Sequence, residues 1–224
     1  MLSFDQLVQR ARSLVADGNR AVLGITGPPG AGKTTLAEQL IQTLAPAPPP
    51  TLAVRQWIAH VPMDGFHLAD SELIRLRRRD RKGAPDTFDA SGYAALLRRL
   101  REDSDEVVYA PSFQRSLEQP IAGAIPVPPC TRLIITEGNY LLLHEHGWGR
   151  VRAQLDEVWY VDLDADERVR RLIARHVRFG KQPAVAAAWA TGTDERNAVL
   201  ISSTRSHADL IVPATLMRSL TAPP

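Results

Sequence analysis

The eight residues Gly27-Pro28-Pro29-Gly30-Ala31-Gly32-Lys33-Thr34 constrain this chain more than any other stretch. They fit G-x-x-x-x-G-K-[ST], a pattern that carries structural meaning only between a strand and a helix. Both flanks are present. Ala21–Thr26 (AVLGIT) is a short apolar run that reads as a buried strand, and Lys33–Leu44 sets Leu36, Leu40, Ile41 and Leu44 on one helical face. Glycines let the loop amides turn inward and the helix N-terminus adds partial positive charge, so the loop is shaped for nucleotide phosphates. Lys33 is placed to bridge β- and γ-phosphate oxygens, and the Thr34 hydroxyl to ligate Mg²⁺. A glycine turn that merely joins strand to helix is the alternative, and the full match in its full context weighs against it.

Strands and helices alternate along the rest of the chain. A leading amphipathic helix carries Phe4, Leu7, Val8, Ala11, Leu14 and Val15, with Ser3 and Gln6 placed as a capping box. Ala45–Pro50 (APAPPP) cannot continue a helix and is a surface connection. The pattern then gives a strand ending near Met63, a helix over Ser71–Arg79, a loop at Gly83–Pro85 and a helix over Ser91–Arg101. Glu106–Tyr109 reads as a strand, Ile121–Pro129 as a loop with room for a short hairpin, and Leu133–Thr136 as a central strand beside Ala21–Thr26. Glu157–Asp162 is another strand; Asp164 caps a helix that runs to the turn at Gly180; helices over Ala184–Ala190 and Asp194–Ser203 and a strand over Ala208–Val212 follow. The expected fold is α/β: a five-stranded, mostly parallel sheet with helices on both faces and a helical lid. We expect one domain over residues 1–224, with the lid at about 165–203.

Charge and cysteine content narrow the partners. The 27 basic and 25 acidic residues nearly cancel, leaving +2, which argues against a nucleic-acid partner. The run Arg75–Lys82 (RLRRRDRK) reads mostly as a solvated helix face. No apolar run approaches a membrane span, and the N-terminal segment has charges instead of an apolar h-region, so a cytoplasmic protein without a membrane partner is expected. Cys130 is the single cysteine, which excludes an intrachain disulfide and a cysteine-rich zinc site. Nothing in the sequence decides against a homodimer.

The phosphate loop alone does not choose among kinases, GTPases, transporters and motors. No N-K-x-D reads guanine and no L-S-G-G-Q is present, so ATP is the expected nucleotide. Leu133–Glu137 (LIITE) ends an apolar strand in Glu137, placed to hold a Mg²⁺-bound water, or else simply opening a loop. Val61-Pro62-Met63-Asp64-Gly65-Phe66-His67 puts Asp64 after a strand at the edge of a parallel sheet, where ligands bind. Asp64 is then an acceptor base, or a water-mediated metal ligand, and Gly65 leaves room for substrate. The expected reaction moves the γ-phosphate of ATP to a hydroxyl of a small metabolite. The competing reading is an ATP-binding switch or accessory ATPase of a transport system, which has no need of an acceptor base. A polynucleotide-end kinase would need a basic, aromatic-lined groove, against the weak net charge.

Five blocks stand in one order: GPPGAGKT, MDGFH, RKGAPDTFD at Arg81–Asp89, YAPSFQR at Tyr109–Arg115, and TEGNYLLL at Thr136–Leu143. Together they resemble the family of uridine kinases, phosphoribulokinases and bacterial-type pantothenate kinases. The chain is most similar to pantothenate-kinase-like proteins, including sugar or nucleoside kinases linked to fructose transport. Gln114 stands where many relatives carry aspartate. The resemblance implies that Asp64 orients the acceptor hydroxyl and that the acceptor is pantothenate-like, a nucleoside, or a sugar or glycerate. It implies cofactor contacts from Gly27 to Thr34, with Thr35 and Arg205, and a lid in which Arg171 and Arg175 share one helical face and reach the transferring phosphoryl, while Arg168 and Arg170 lie on a solvated or ion-paired face. On the acceptor side it places Arg81 and Lys82 toward an anionic group, with Tyr109 and Arg115 bracketing a covering loop and Asn197 nearby. Several residues keep two readings: His67 as contact or as hydrogen-bonded structural residue, Arg115 as anion clamp or surface ion pair, Asn197 as contact or solvated residue, and Trp189 as packing between lid helices or ligand platform.

Overall fold

The computed structural model describes residues 2–48, 57–102 and 105–221; the last prolines of the Ala45–Pro50 connection lie outside them. The strands are β1 (Ala21–Thr26), β2 (Ile58–His60), β3 (Val108–Gln114), β4 (Gln119–Val127), β5 (Leu133–Glu137), β6 (Glu157–Val161) and β7 (Leu210–Val212). Five of them form one sheet in the order β2-β5-β1-β6-β7. Every pairing in it is parallel, with Leu23 opposite Ile135 and Gly24 opposite Val158. The expected adjacency of Leu133–Thr136 and Ala21–Thr26 is therefore present.

A strand sends alternate side chains to opposite faces, and two apolar cores result. Val22, Ile134, Val158 and Tyr160 enter one with α4 (Ala90–Arg101). Leu23, Ile25, Leu133, Ile135, Trp159 and Val161 enter the other with α1 (Phe4–Ser13) and α2 (Lys33–Leu44). Ser3 and Gln6 close the capping box on α1, and the Asp164 carboxylate caps α6 (Ala165–Arg178) at the amides of Asp166 and Glu167. After α6, α7 (Pro183–Trp189) passes through a π-turn, Ala190–Asp194, into α8 (Glu195–Ser203), so two expected helices form one near-continuous element. The helix expected over Ser71–Arg79 is shorter, α3 (Asp70–Arg75), because the chain turns at Arg77 with φ 55°. A further short helix α5 (Gly149–Arg152) and a terminal α9 (Ala214–Thr221) complete the fold. No helix among the described residues is long and apolar enough to cross a membrane.

The segment Ile121–Pro129, read as a loop with room for a short hairpin, is mostly β4, which pairs antiparallel with β3 in a separate two-stranded ribbon. Most of β4 is exposed on both sides and it contains Pro120 and Pro126, so the apolar alternation that marks a strand is missing. Proline is tolerated there because the ribbon has free edges. The ribbon also explains Gly65: a Cβ at that position would lie 2.3 Å from the Pro111 carbonyl oxygen. Close packing of the ribbon, not room for a substrate, requires the glycine.

Candidate active site

Three strands deliver chain to one end of the sheet, the carboxyl end where open α/β sheets bind ligands. The loop after β1 carries Lys33, the last residue of β5 is Glu137, and the chain after β2 turns through a 3₁₀ helix, Met63–Phe66, that holds Asp64. A buried network fixes the last two relative to each other. The Val61 amide donates to the Ile135 carbonyl, and the Thr136 hydroxyl, bonded to Tyr93, donates to the Val61 carbonyl at 2.5 Å. Lys33, Thr34, Asp64 and Glu137 all line a cavity of about 620 Å³.

The phosphate loop is wound tightly around its own lysine. Gly27, Gly30 and Gly32 have φ of 146°, 82° and 99°, where a Cβ is strained. Lys33 Nζ donates to the Gly27 and Pro28 carbonyls at 2.9 and 3.1 Å. Burial is the main influence on this ammonium and brings its pKa down to about 8, opposed by the nearby charge of Glu137. Burial, then the charge of Asp64, raises the pKa of Glu137, while Lys33 opposes the rise. The Thr34 hydroxyl donates to Glu137 Oε1 at 3.0 Å. That pair of oxygens, under a loop of inward-turned glycines, fits Mg²⁺ carried by a nucleotide, which Thr34 and Glu137 would hold. Among the described residues no His/Cys/Asp/Glu cluster could hold a metal by itself. Thr35 lies one residue further into α2 and does not line the cavity.

On the opposite wall Asp64 Oδ2 accepts from Arg115 at 3.1 Å. The Arg115 guanidinium stands 5.9 Å from the Phe113 ring and 5.8 Å from the Phe179 ring, joining the ribbon to the end of α6. His67 Nδ1 lies 2.9 Å from the Asp64 carbonyl, which can only accept, so Nδ1 carries the proton. Its ring packs at a tilt against Phe88 and Phe113, and burial lowers its pKa. His67 thus lines the cavity and is also held as a structural residue.

Lys82 lines the cavity but is tied to Asp70 at 2.6 Å and to the Glu118 carbonyl. Arg81 is turned to Asp86 at 2.6 Å and does not line the cavity. The basic run is largely neutralised within the fold: Arg75 pairs with Glu72, Arg78 with Asp86 and Arg79 with Asp70. Tyr109 is not brought to the cavity. It is 60% exposed and sits opposite Pro126 in the ribbon, separated from Phe113 and Arg115 by an irregularity in the β3–β4 register between Ala110 and Ser112.

Helix α6 lies directly on the phosphate loop: a Cβ on Gly30 would meet Leu172 Cγ at 2.8 Å and the Arg168 carbonyl at 2.9 Å. Arg168, expected on a solvated or ion-paired face, is only 3% exposed and pairs with Glu195. Arg170 is the exposed one, paired with Glu167 at 2.5 Å. Arg171 donates to Glu167 at 2.8 Å with its guanidinium beside Gly32, whereas Arg175 reaches into the cavity. The Arg175 side chain as a whole is exposed, yet its charged end is crowded, and that desolvation, then Arg115, lowers its pKa. Arg205 lies outside the cavity and pairs with Asp162 at 3.0 Å, just past β6; the Val161 carbonyl there lies 2.6 Å from the position of a Gly27 Cβ.

Asn197 is buried, lines the cavity and donates to the Gly83 carbonyl at 3.3 Å. Trp189, expected between helices, also lines the cavity, with Lys181 Nζ 5.6 Å from its ring. Sequence reading missed His176 and Asp194, which pair at 2.8 Å in the same cavity. They are eighteen positions apart in sequence, and no motif joins them; the π-turn that presents Asp194 exists only in the fold.

A model of the Phosphoribulokinase / Uridine kinase family matches residues 22–220. The chain is 33% identical over 190 residues to the "Putative uridine kinase C227.14" of Schizosaccharomyces pombe, a match covering 80% of this chain and 75% of that protein. It is 36% identical over 160 residues to the "ATP-dependent kinase-like protein notR'" of Aspergillus versicolor, covering 67% of this chain and 93% of the relative. Among solved structures, the "putative fructose transport system kinase" of Silicibacter sp. TM1040 superposes with a TM-score of 0.83 at 34% identity, covering 95% of this chain and all of that one.

Proposed function

Since the chain belongs to the phosphoribulokinase/uridine kinase family and is an ATP-dependent P-loop kinase, we propose that it moves the γ-phosphate of ATP, with Mg²⁺, to a hydroxyl of a small metabolite. One observation carries this reading: Asp64 lines the same cavity as Lys33, Thr34 and Glu137. A nucleotide switch needs the last three alone.

In this reading the loop amides and Lys33 hold the phosphates, and Thr34 and Glu137 hold the metal, which when bound screens charge on the phosphoryl oxygens. Asp64 aligns the acceptor hydroxyl and takes its proton as the new O–P bond forms and the bond to the β-phosphate bridging oxygen breaks, releasing ADP. In a loose transition state that proton leaves late, so alignment is the larger part of the task. Arg175 faces the charge that develops on the phosphoryl oxygens. Residues 165–203 act as the lid of a single kinase domain, with α6 resting on Gly30 and the Arg115 guanidinium 5.8 Å from the Phe179 ring at its end.

The test is ATP consumption against a panel of pantothenate, nucleosides, ketoses and glycerate, with acceptor-free turnover as baseline. Acceptor-dependent ADP release together with phosphate on the acceptor is the expected result. ATP turnover indifferent to every acceptor would favour the accessory-ATPase reading instead.

A further inference from the structure

Arg115 is delivered to Asp64 by a turn that is tied down on both sides. The ribbon reverses between Gln114 and Gln119, where the Leu117 amide donates to the Gln114 carbonyl at 3.1 Å. Lys82 bonds the Glu118 carbonyl, and the Asp70 amide donates to Gln119 Oε1 at 3.3 Å, which fixes one arm. On the other arm the Pro111 backbone packs against Gly65, and the Phe113 ring lies 4.7 Å from the ring of His67. Gln114 is neutral and bonds Ser116 at 2.9 Å, so it offers Arg115 no rival charge. The bond to Asp64 is a single one, from Arg115 Nη2 to Oδ2 at 3.1 Å. A proton taken by either carboxylate oxygen would leave the guanidinium facing a neutral acid. The pair must therefore open before Asp64 can act as a base.

We propose that Arg115, acting through Asp64, determines the specificity of the reaction for an acceptor over water, so that ATP is not hydrolysed while the acceptor site is empty. The inference rests on the kinase reading above and deepens it. Water carries the same O–H that an acceptor presents and is always at hand in an open cavity. An unpaired Asp64 would take a proton from it as the water oxygen bonds to the γ-phosphorus and the bond to the β-phosphate bridging oxygen breaks, releasing ADP and phosphate. A single water makes few contacts and has little binding energy with which to open an ion pair. An acceptor has more, because contacts made by its non-reacting parts can reorganise the site. The displaced guanidinium has aromatic faces to rest on, since the Phe113 and Phe179 rings already stand 5.9 and 5.8 Å from it. From there it still faces the acceptor, so losing it lowers transfer while it raises hydrolysis.

Phosphate release from saturating ATP and Mg²⁺, with no acceptor present, tests this. The two side chains are 41% and 31% exposed, so Arg115→Ala should raise acceptor-free hydrolysis by about fivefold, the change that about 1 kcal/mol of pair energy corresponds to. Affinity for a non-hydrolysable ATP analogue should stay at the wild-type value. Arg115→Gln, which keeps most of the side chain, should hydrolyse ATP as fast as the alanine variant. Arg115→Lys should stay near wild type, because an ammonium can replace a single bond to Oδ2. The added hydrolysis should run through the carboxylate: Asp64→Asn combined with Arg115→Ala should return to the rate of Asp64→Asn alone. A merely structural Arg115 would lower turnover or leave it unchanged. No rise in Arg115→Ala and Arg115→Gln, a lysine variant that hydrolyses ATP as fast as they do, or a rise that persists without the Asp64 carboxylate overturns the proposal; the last would mean that water enters under a loosened lid. Transfer to an acceptor by the wild-type protein, with no rise in the variants, would leave the kinase reading standing without this control. An Asp64-dependent rise in a protein that no acceptor stimulates would keep the restraint on water and remove the kinase reading.

Discussion

Asp64 and Arg115 are locked in an ion pair of 3.1 Å inside the cavity they both line, one from the turn after β2 and the other from the ribbon. In the proposed reading the contact occupies the carboxylate that would receive the acceptor hydroxyl. It also places a guanidinium, near the Phe113 and Phe179 rings, in the same cavity.

Asp64→Asn removes the proposed base and keeps the shape. With the best acceptor its kcat should fall by about 10²–10⁴-fold, while the affinity for a non-hydrolysable ATP analogue with Mg²⁺, read by calorimetry, stays near wild type. A metal ligand would behave differently, shifting the Mg²⁺ concentration needed for half-maximal rate first.

Arg115→Ala should leave the fold almost untouched, because a half-exposed ion pair contributes at most about 1 kcal/mol; Tm should move by no more than about 2–4 °C. Acceptor kcat/KM should nevertheless fall tenfold or more, about 1.4 kcal/mol of transition-state binding. Arg115→Lys should not restore it, since an ammonium lacks the planar fork that lies between two rings. Full activity in the lysine variant would show that charge alone suffices.

The two lid arginines should separate. Arg171 lies beside Gly32 and Arg175 in the cavity, so Arg171→Ala should act chiefly on KM for ATP and Arg175→Ala chiefly on kcat. Steady-state kinetics with both substrates varied reads the split. Equal kcat in wild type and both variants would remove α6 from the chemistry.

Gly30→Ala drives a methyl into Leu172 and the Arg168 backbone at a positive φ of 82°. Overpacking of this kind costs about 1–3 kcal/mol, so Tm should drop by several degrees, and α6 should be pushed off the loop with loss of nucleotide affinity. Gly83→Ala, equally left-handed at φ 99° but with open space around it, separates backbone strain from the clash: its Tm loss should be the smaller.

Lys33 sets a pH dependence in the free protein. Its ordinary pKa of 10.5 is brought to about 8 in the fold, chiefly by burial. Between those values the unfolded chain holds the extra proton, so the contribution of this group to stability rises with pH through that window and is lost as pH falls toward 8. Phosphate binding requires the charged form. Affinity for ATP·Mg²⁺ should therefore weaken above pH 8, by up to about tenfold per pH unit, and calorimetric titration of Lys33→Arg should give a flatter profile. A wild-type affinity constant from pH 7 to 9.5 would contradict the shifted lysine.

Much of this protein is local enough to read along the chain. The phosphate loop is defined by residues within one turn of each other, and the apolar runs at Ala21–Thr26 and Leu133–Glu137 carry their own burial. The parallel sheet and the placement of Lys33, Thr34 and Glu137 at its carboxyl end follow from those runs and the crossover connections that parallel strands need. Asp64 was legible for the same reason, as a carboxylate just beyond a strand.

Only the tertiary structure decided what stands opposite. β4 has no apolar alternation because both its faces are exposed, so the ribbon, and with it the pairing of Arg115 with Asp64 and the turning away of Tyr109, left no periodic trace. Gly65 is required by the Pro111 backbone, a neighbour that exists only once the ribbon folds back. The bond between His176 and Asp194 depends on the phase that a π-turn adds to one helix and on the packing of another against it. Periodicity records which face of an element is apolar; it does not record which two polar faces the fold will bring together, because that is set by the summed geometry of every element between them.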